Sequence, residues 1–403
     1  MPAEAPTFRV VDFSTHLSGP LATHLLTELG ADVVKVEHHR VGDGNRWEGE
    51  LIEGVGVFHL ALNAGARSLA VNSHSPDWPK VIEAAARWAD VVMVGTRPAD
   101  AKRRGMDFET MKAANPRLIY VAVSGFGDRG PWRDYTAHGQ TIDTFAGLVP
   151  IEDGEVQPRT RNGFRSTGTL AGALFAALGA LGALHRRDSG YAKAQYVSVS
   201  LWQSAMWWSW RDLTTLANTG EPWLEYGDLG SRYSLYRTKD DRVMLLAPAE
   251  LHFWQRFCEV LDLPEDYRDF GDWSGGLCHG KGPEFDHERV RIAEVMKTRT
   301  LEEWEAAFEE IEIPFAPLLT LDEAMESEHA EVNGLLRGTS VGDKDLRITA
   351  SPVRFADDDQ PEGQLDPLSP PPELGEHSAE VLAEFGLAPE VTPDSVRTAP
   401  ARD

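Results

Sequence analysis

The sequence has little cysteine. Cys258 and Cys278 are its only two in 403 residues, too few for a disulfide framework or a four-cysteine metal site. Two free thiols in a reducing compartment is the simpler reading. Positive charge is also scarce. Lys and Arg number 39 against 64 Asp and Glu, a net charge of -25. So acidic a chain speaks against a nucleic-acid partner, which wants a basic face. It leaves room for an anionic small molecule, which needs only a local basic pocket. The apolar stretch Leu170–Leu184 falls short of the roughly 20 residues of a membrane span. The opening MPAEAPTF lacks the basic and apolar regions of a signal peptide. A cytoplasmic protein, off the membrane, is expected. HExxH, GxSxG, the P-loop and metal-spaced clusters are all missing, so no metal is expected.

What is present is an α/β pattern. FRVVDF (Phe8–Phe13) is a short strand, LATHLLTEL (Leu21–Leu29) an amphipathic helix and DVVKVE (Asp32–Glu37) the next strand. Further strands are expected at Arg67–Val71, Asp90–Val94, Leu118–Val123 and Tyr196–Leu201, with a helix at Lys80–Ala89. Strands alternating with helices predict a parallel sheet with helices on both faces. The run Leu170–Leu184 is apolar almost all round, which predicts a buried core helix. After an irregular crossing at 221–234 comes a hairpin, Leu235–Pro248. Helices follow at His252–Leu261, Val290–Lys297 and Leu301–Ile311, and an extended segment at Pro314–Leu319. The divisions expected are a large domain over 1–220, a small α+β domain over 221–315, and a return to the large domain over 316–403. The end, Asp357–Asp403, is Pro-rich and acidic, with one helix at Ser378–Phe385 and a loose tail.

Several residues are candidates for chemistry, each with a plainer reading. The turn Leu17-Ser18-Gly19-Pro20 follows a strand and opens a helix, where α/β sheets place ligands; it also reads as an ordinary turn. Arg40, Arg46, Arg97, Arg103 and Arg104 fall near strand ends. In so acidic a chain they suggest a polyanionic ligand such as a phosphorylated nucleotide, and otherwise solvated charge. His138 lies in the polar run TAHGQTIDTF, and a lone histidine is commonly structural. Asp143, between Ile142 and Phe145, is expected to be partly buried, which would raise its pKa. Glu250 sits before a helix, where a carboxylate favours the dipole. Trp207, Trp208 and Trp210 read first as packing mass.

VVDFSTHLSGPLATHLLTELGADVVKVE resembles the opening signature of the family III CoA-transferases (CaiB/BaiF type), a family that includes the α-methylacyl-CoA racemases. The likeness continues through AARWADVVMVGTRPADAKRRGM, NPRLIYVAVSGFGDRGPW, LAGALFAALGALGALHRRDSG and TLEEWEAAFEEIEIPFAPLLTLDEAM. The resemblance implies a Rossmann-like large domain formed by both ends of the chain, a small inserted domain, and two chains interlocked as a dimer. It implies coenzyme A, as acyl-CoA, for the ligand. By position Leu17, Ser18, Arg97 and Arg104 would line the CoA site, with Arg40 standing in for a family arginine replaced here by His38.

One departure falls on the chemistry. The family's transferases carry an Asp at the start of the small-residue helix, where its carboxylate attacks the thioester. Here that position is Thr169, or Gly168 with a shift of one. His138 stands where the racemases have their histidine, and Glu250 where they have a further carboxylate. Three readings follow. The chain is the Asp-less subunit of a CoA-transferase whose Asp-bearing homologous partner supplies the acid. Or it is a one-base enzyme in which His138 removes an α-proton with Glu250 or Asp143 assisting, N–H groups at the helix start stabilising the enolate and Thr169 capping that helix. Or it binds acyl-CoA without turning it over.

Overall fold

The computed structural model describes residues 8–154, 156–221, 229–355, 365–388, 391 and 395–397. Half of the crossing at 221–234, the opening MPAEAPT and much of the acidic end lie outside the described residues. The chain divides into two compact units, one of Met1–Thr214 with Asn333–Asp403, the other of Thr215–Val332.

The first unit is built on a seven-stranded sheet. In chain order its parallel strands are β1 (Phe8–Asp12), β2 (Ala31–His38), β3 (Arg67–Val71), β4 (Val91–Val94), β5 (Ile119–Ser124) and β6 (Gln195–Ser200). They lie in the order β6-β5-β4-β1-β2-β3, and Val396–Arg397 adds an antiparallel edge to β3. The strands are short runs of valine, isoleucine and alanine because both faces are covered. One face carries helix α1 (Ser18–Glu28) and a long helix, Thr167–Asp188; the other carries Trp78–Trp88 and Ser378–Glu384. The order reverses at β1 and β4. Chain going outward from β1 runs to β2 and β3, and from β4 to β5 and β6, which opens a crevice at the carboxyl ends of β1 and β4.

Several expectations are corrected. The helix expected at Leu170–Leu184 runs Thr167–Asp188, and its last turn takes in His185, Arg186 and Arg187, whose charge suits a helix C-terminus. At 22 residues it is long and apolar enough to cross a membrane by length and composition, so shortness is no argument against a span. What holds it here is packing: Ala173, Ala176, Ala177 and Ala180 are buried against the sheet. Gly172 lets the helix close on its neighbour, since a β-carbon there would fall 2.3 Å from Leu201 Cδ2. Nor is the helix buried all round, for Leu170, Leu174 and Leu178 are exposed. Ser18 lies within α1, not in a turn before it. Within the acidic end Val396–Arg397 pairs with β3, which would otherwise leave an unpaired edge; the last residues, expected as a loose tail, lie outside the described residues.

The second unit has a three-stranded antiparallel sheet, Ser234–Arg237, Val243–Leu246 and Phe315–Pro317. Leu251–Val260, Asp286–Met296 and Leu301–Glu310 pack beside it around Trp254, Phe257, Trp304 and Phe308. The expected boundaries at 220 and 315 move to 214 and 332. Phe315–Pro317 pairs with Val243–Leu246 and so keeps the following short helices with this unit. Cys258 and Cys278 are both free and buried here.

In the first unit the returning chain is tied to β2 through buried charge. Glu37 receives two hydrogen bonds from Arg46, at 2.8 and 2.7 Å, and one from Ser68 at 2.7 Å. Arg46 and His59 both reach the carbonyl of Pro372, at 3.0 and 3.1 Å. Burial alone would raise the pKa of Glu37, but Arg46, Lys35 and Ser68 outweigh it and bring it down to about 2. Burial, helped by the charge of Arg46, pushes His59 down to about 4. Both folded values are depressed, so both contributions are present at neutral pH and lost on acidification. The share of His59 should go between about pH 6.5 and 4, and that of Glu37 between about 4.5 and 2, each on the order of 3 kcal/mol. Urea unfolding across that range checks this, and His59→Gln should flatten the upper part. Stability unchanged between pH 7 and 4 would contradict the assignment.

Candidate functional site

The crevice begins at the end of β1. Lys35, on β2, is buried and reaches Asp12 at 3.2 Å, Asp43 at 2.8 Å and the carbonyl of Ser14 at 2.6 Å. Burial lowers the pKa of Lys35, but the two carboxylates more than reverse this, and the lysine stays charged. The same charge keeps Asp43 ionised despite its burial. A pinned loop results, Phe13–Leu17, leading into α1. Gly95, just after β4, closes on it, since a β-carbon there would fall 2.5 Å from Ser14 Cβ. A cavity of about 190 Å³ opens beside this loop, lined among others by Ser14, Thr15, His38, His74 and Arg104. Arg40 stands elsewhere, on a cavity of about 450 Å³ with Trp47, His59 and Pro372.

The other wall comes from two helix starts. His138 is the N-cap of a short helix, α2 (Gly139–Phe145), and its side chain makes no capping bond. The long helix, now α3 (Thr167–Asp188), starts beside it. Asp143, on α2, is fully buried and serves the start of α3: one oxygen accepts the Gly168 N–H at 2.9 Å, the other the Ser166 hydroxyl at 2.6 Å. Ser166 and Thr169 hydroxyls lie 2.8 Å apart. The single Ser166 proton goes to Asp143, so Thr169 is the donor of that pair. Gly139 is required by these hydroxyls, because a β-carbon would come within 2.9 Å of Thr169 Oγ1.

The structure thus brings His138, Asp143 and Thr169 together, with changed parts. Thr169 does not cap α3: Ser166 is the N-cap residue, and the capping carboxylate is that of Asp143. The Gly168 N–H, expected to face an enolate, is already used. Leu17 and Ser18 lie at the start of α1, beside the crevice. Arg97 is engaged with Asp100, at 2.7 Å, and braces the loop before His138 through the Asp134 carbonyl and the Thr136 hydroxyl. Glu250 belongs to the second unit, at the start of Leu251–Val260.

Sequence reasoning missed Ser166 and His16. Ser166 looks like any small polar residue before a helix. His16 follows a strand like many turn residues, yet it has φ +65°, and its ring stands edge-on to His138 with centres 6.5 Å apart. No sequence signal reports either.

Comparison with known proteins bears on this arrangement. The chain is 25% identical over 388 residues to the acetyl-CoA:oxalate CoA-transferase of Acetobacter aceti, covering 94% of this chain and 95% of that one. It is 27% identical over 401 residues to the mouse succinyl-CoA:glutarate CoA-transferase, covering 93% and 85%. The crystal structure of a CaiB/BaiF family protein from Brucella suis superimposes with a TM-score of 0.74 at 21% identity, over 94% of this chain and 98% of that one; it shows the fold. With the CoA-transferase family III model matching residues 7–378, nearly the whole described chain, this protein belongs to CoA-transferase family III.

Proposed function

We propose that this chain binds an acyl-CoA and serves a CoA-transferase-type assembly in which a second, homologous chain supplies the nucleophilic carboxylate. The carrying observation is the start of α3. Thr169 is buried, its hydroxyl is spent on Ser166, and the one carboxylate beside it, Asp143, is buried and committed to Ser166 and Gly168. A threonine hydroxyl needs a base to attack a thioester, and its ester would not be the activated anhydride a carboxylate forms. The same helix offers an apolar stripe to a partner. Leu170, Leu174 and Leu178 recur every four residues and are exposed, with Trp207 and Trp208 exposed nearby on Leu201–Trp208. Exposed apolar faces of this kind mark association sites. A second copy of the chain is the other candidate for that face. The proteins of Acetobacter aceti and mouse are named as CoA-transferases, which agrees with the transfer chemistry.

For the nucleotide, the reading is the crevice at β1 and β4, with Arg104 as the cation at the cavity beside Ser14. CoA should bind, and Arg104→Ala should weaken it by about 1.5–3 kcal/mol, roughly 10- to 100-fold. Arg97→Ala should cost less, because its guanidinium already bonds Asp100 and the loop at Asp134–Thr136. Calorimetry that finds no binding at millimolar CoA would end this reading.

A second reading has one observation in its favour. His138 is exposed beside His16 while the neighbouring carboxylate is not. In that reading His138 removes the α-proton of an acyl-CoA. Co-expression and deuterium incorporation separate the two. If the first holds, an Asp-bearing homologous chain co-purifies with this one, and CoA transfer appears only in the mixture. Solvent deuterium entering the α-position with this chain alone, and lost in His138→Ala, would favour the second. A covalent acyl adduct trapped on this chain between Gly163 and Ala173 would contradict both.

A further inference from the structure

The loop after β1 spends several buried groups on one exposed imidazole. His16 has φ +65°, a conformation that a β-carbon disfavours. Its N–H donates to buried Asp43 at 2.9 Å, and its carbonyl accepts from buried Asn45 at 3.3 Å. Asp43 is fixed in turn by Lys35. Residue 44 is glycine, and a β-carbon there would come 2.7 Å from His16 Cε1. On the ring, Nδ1 lies 3.2 Å from Glu48 Oε2, which orients the imidazole and leaves Nε2 for another partner. The side chain is nonetheless 55% exposed. Backbone strain persists where the surroundings impose it, and it gathers at functional sites.

Position gives the imidazole its task. Phe13, Ser14 and Thr15 line the cavity that also holds Arg104. His16 is the next residue, and its ring stands edge-on to that of His138, centres 6.5 Å apart. A CoA with its nucleotide in that cavity and its thioester at His138 carries its pantetheine arm across His16. We propose that His16 faces the sulfur of bound CoA and holds it as the thiolate. This rests on the acyl-CoA reading above and names the residue that governs the thiol. The thiol proton passes to Nε2, Nδ1–H stays against Glu48, and the sulfur is left as a thiolate beside an imidazolium. The charged and titratable groups around His16 are Glu48, His138, and Asp43 behind its N–H, the last compensated by Lys35.

The probe is CoA itself. Calorimetry measures its affinity, and ultraviolet thiolate absorbance follows its thiol in the complex as pH is raised. Bound to the wild-type chain, the thiol should ionise at least one pH unit below free CoA, about tenfold more thiolate near neutrality. His16→Asn, which accepts the left-handed backbone, should return the thiol to the free value while CoA still binds. His16→Gly should do the same while thermal stability stays equal or rises, since glycine relieves the backbone. A bound thiol that titrates like free CoA in the wild type, or that keeps its shift in both variants, overturns the proposal and leaves the acyl-CoA reading standing. Absence of any CoA binding overturns both.

Discussion

A lysine buried between two carboxylates organises the functional end of the large unit. Lys35 is fully buried on β2 and touches Asp12 on β1, Asp43 in the loop beyond β2, and the carbonyl of Ser14. An isolated charge at that depth would be prohibitively costly. Two counter-charges and a carbonyl make it tolerable, at the cost of fixing all three positions. Removing the lysine would strand two buried carboxylates, the situation in which a buried ion pair matters most to stability. The ends of β1 and β2 and the loops leaving them therefore move as one piece. Next to this cluster, Glu37 and Arg46 reach the Pro372 carbonyl and fasten the returning chain to the same place.

Much of this was legible in the sequence, and the reason is periodicity. The runs FRVVD, ADVVKVEH and IYVAVS are strands because valine and isoleucine suit a doubly covered sheet. Their alternation with helices announced a parallel α/β fold. The helix starts were less legible. Ser18 looked like a turn residue because Gly19 and Pro20 follow it, yet proline is at ease in a first helical turn and α1 begins there. Thr167–Asp188 looks shorter in the sequence because its end is charged, yet charge at a helix C-terminus is a continuation, not a stop.

Candidate chemistry was legible by residue type and not by hydrogen bond. Asp143 could be picked out as a carboxylate among apolar neighbours. That it faces the start of another helix, 25 residues along the chain at Gly168, has no sequence signature. The same holds for His16. Its conformation is dictated by Asp43 and Asn45, nearly 30 positions away, and those residues are placed by Lys35. A histidine held in this way differs in no letter from one in a relaxed turn.

Two incomplete features of the molecule coincide on α3. Its first turn holds the position where the family resemblance expects a carboxylate, and finds a threonine whose hydroxyl is already paired. Its outward face carries Leu170, Leu174 and Leu178, the first of them adjacent to that threonine. Along an α-helix residues four apart share a face, so this apolar stripe begins within one turn of the altered position. Burying it would remove apolar surface from water at about 25 cal/mol per Å². A partner of the kind proposed above would, in gaining that energy, be set against the start of α3, where Asp143 and Ser166 close the hydroxyl off. In that proposal one helix accounts for both features, its outward face drawing the second chain to the turn where Thr169 stands in place of the acid.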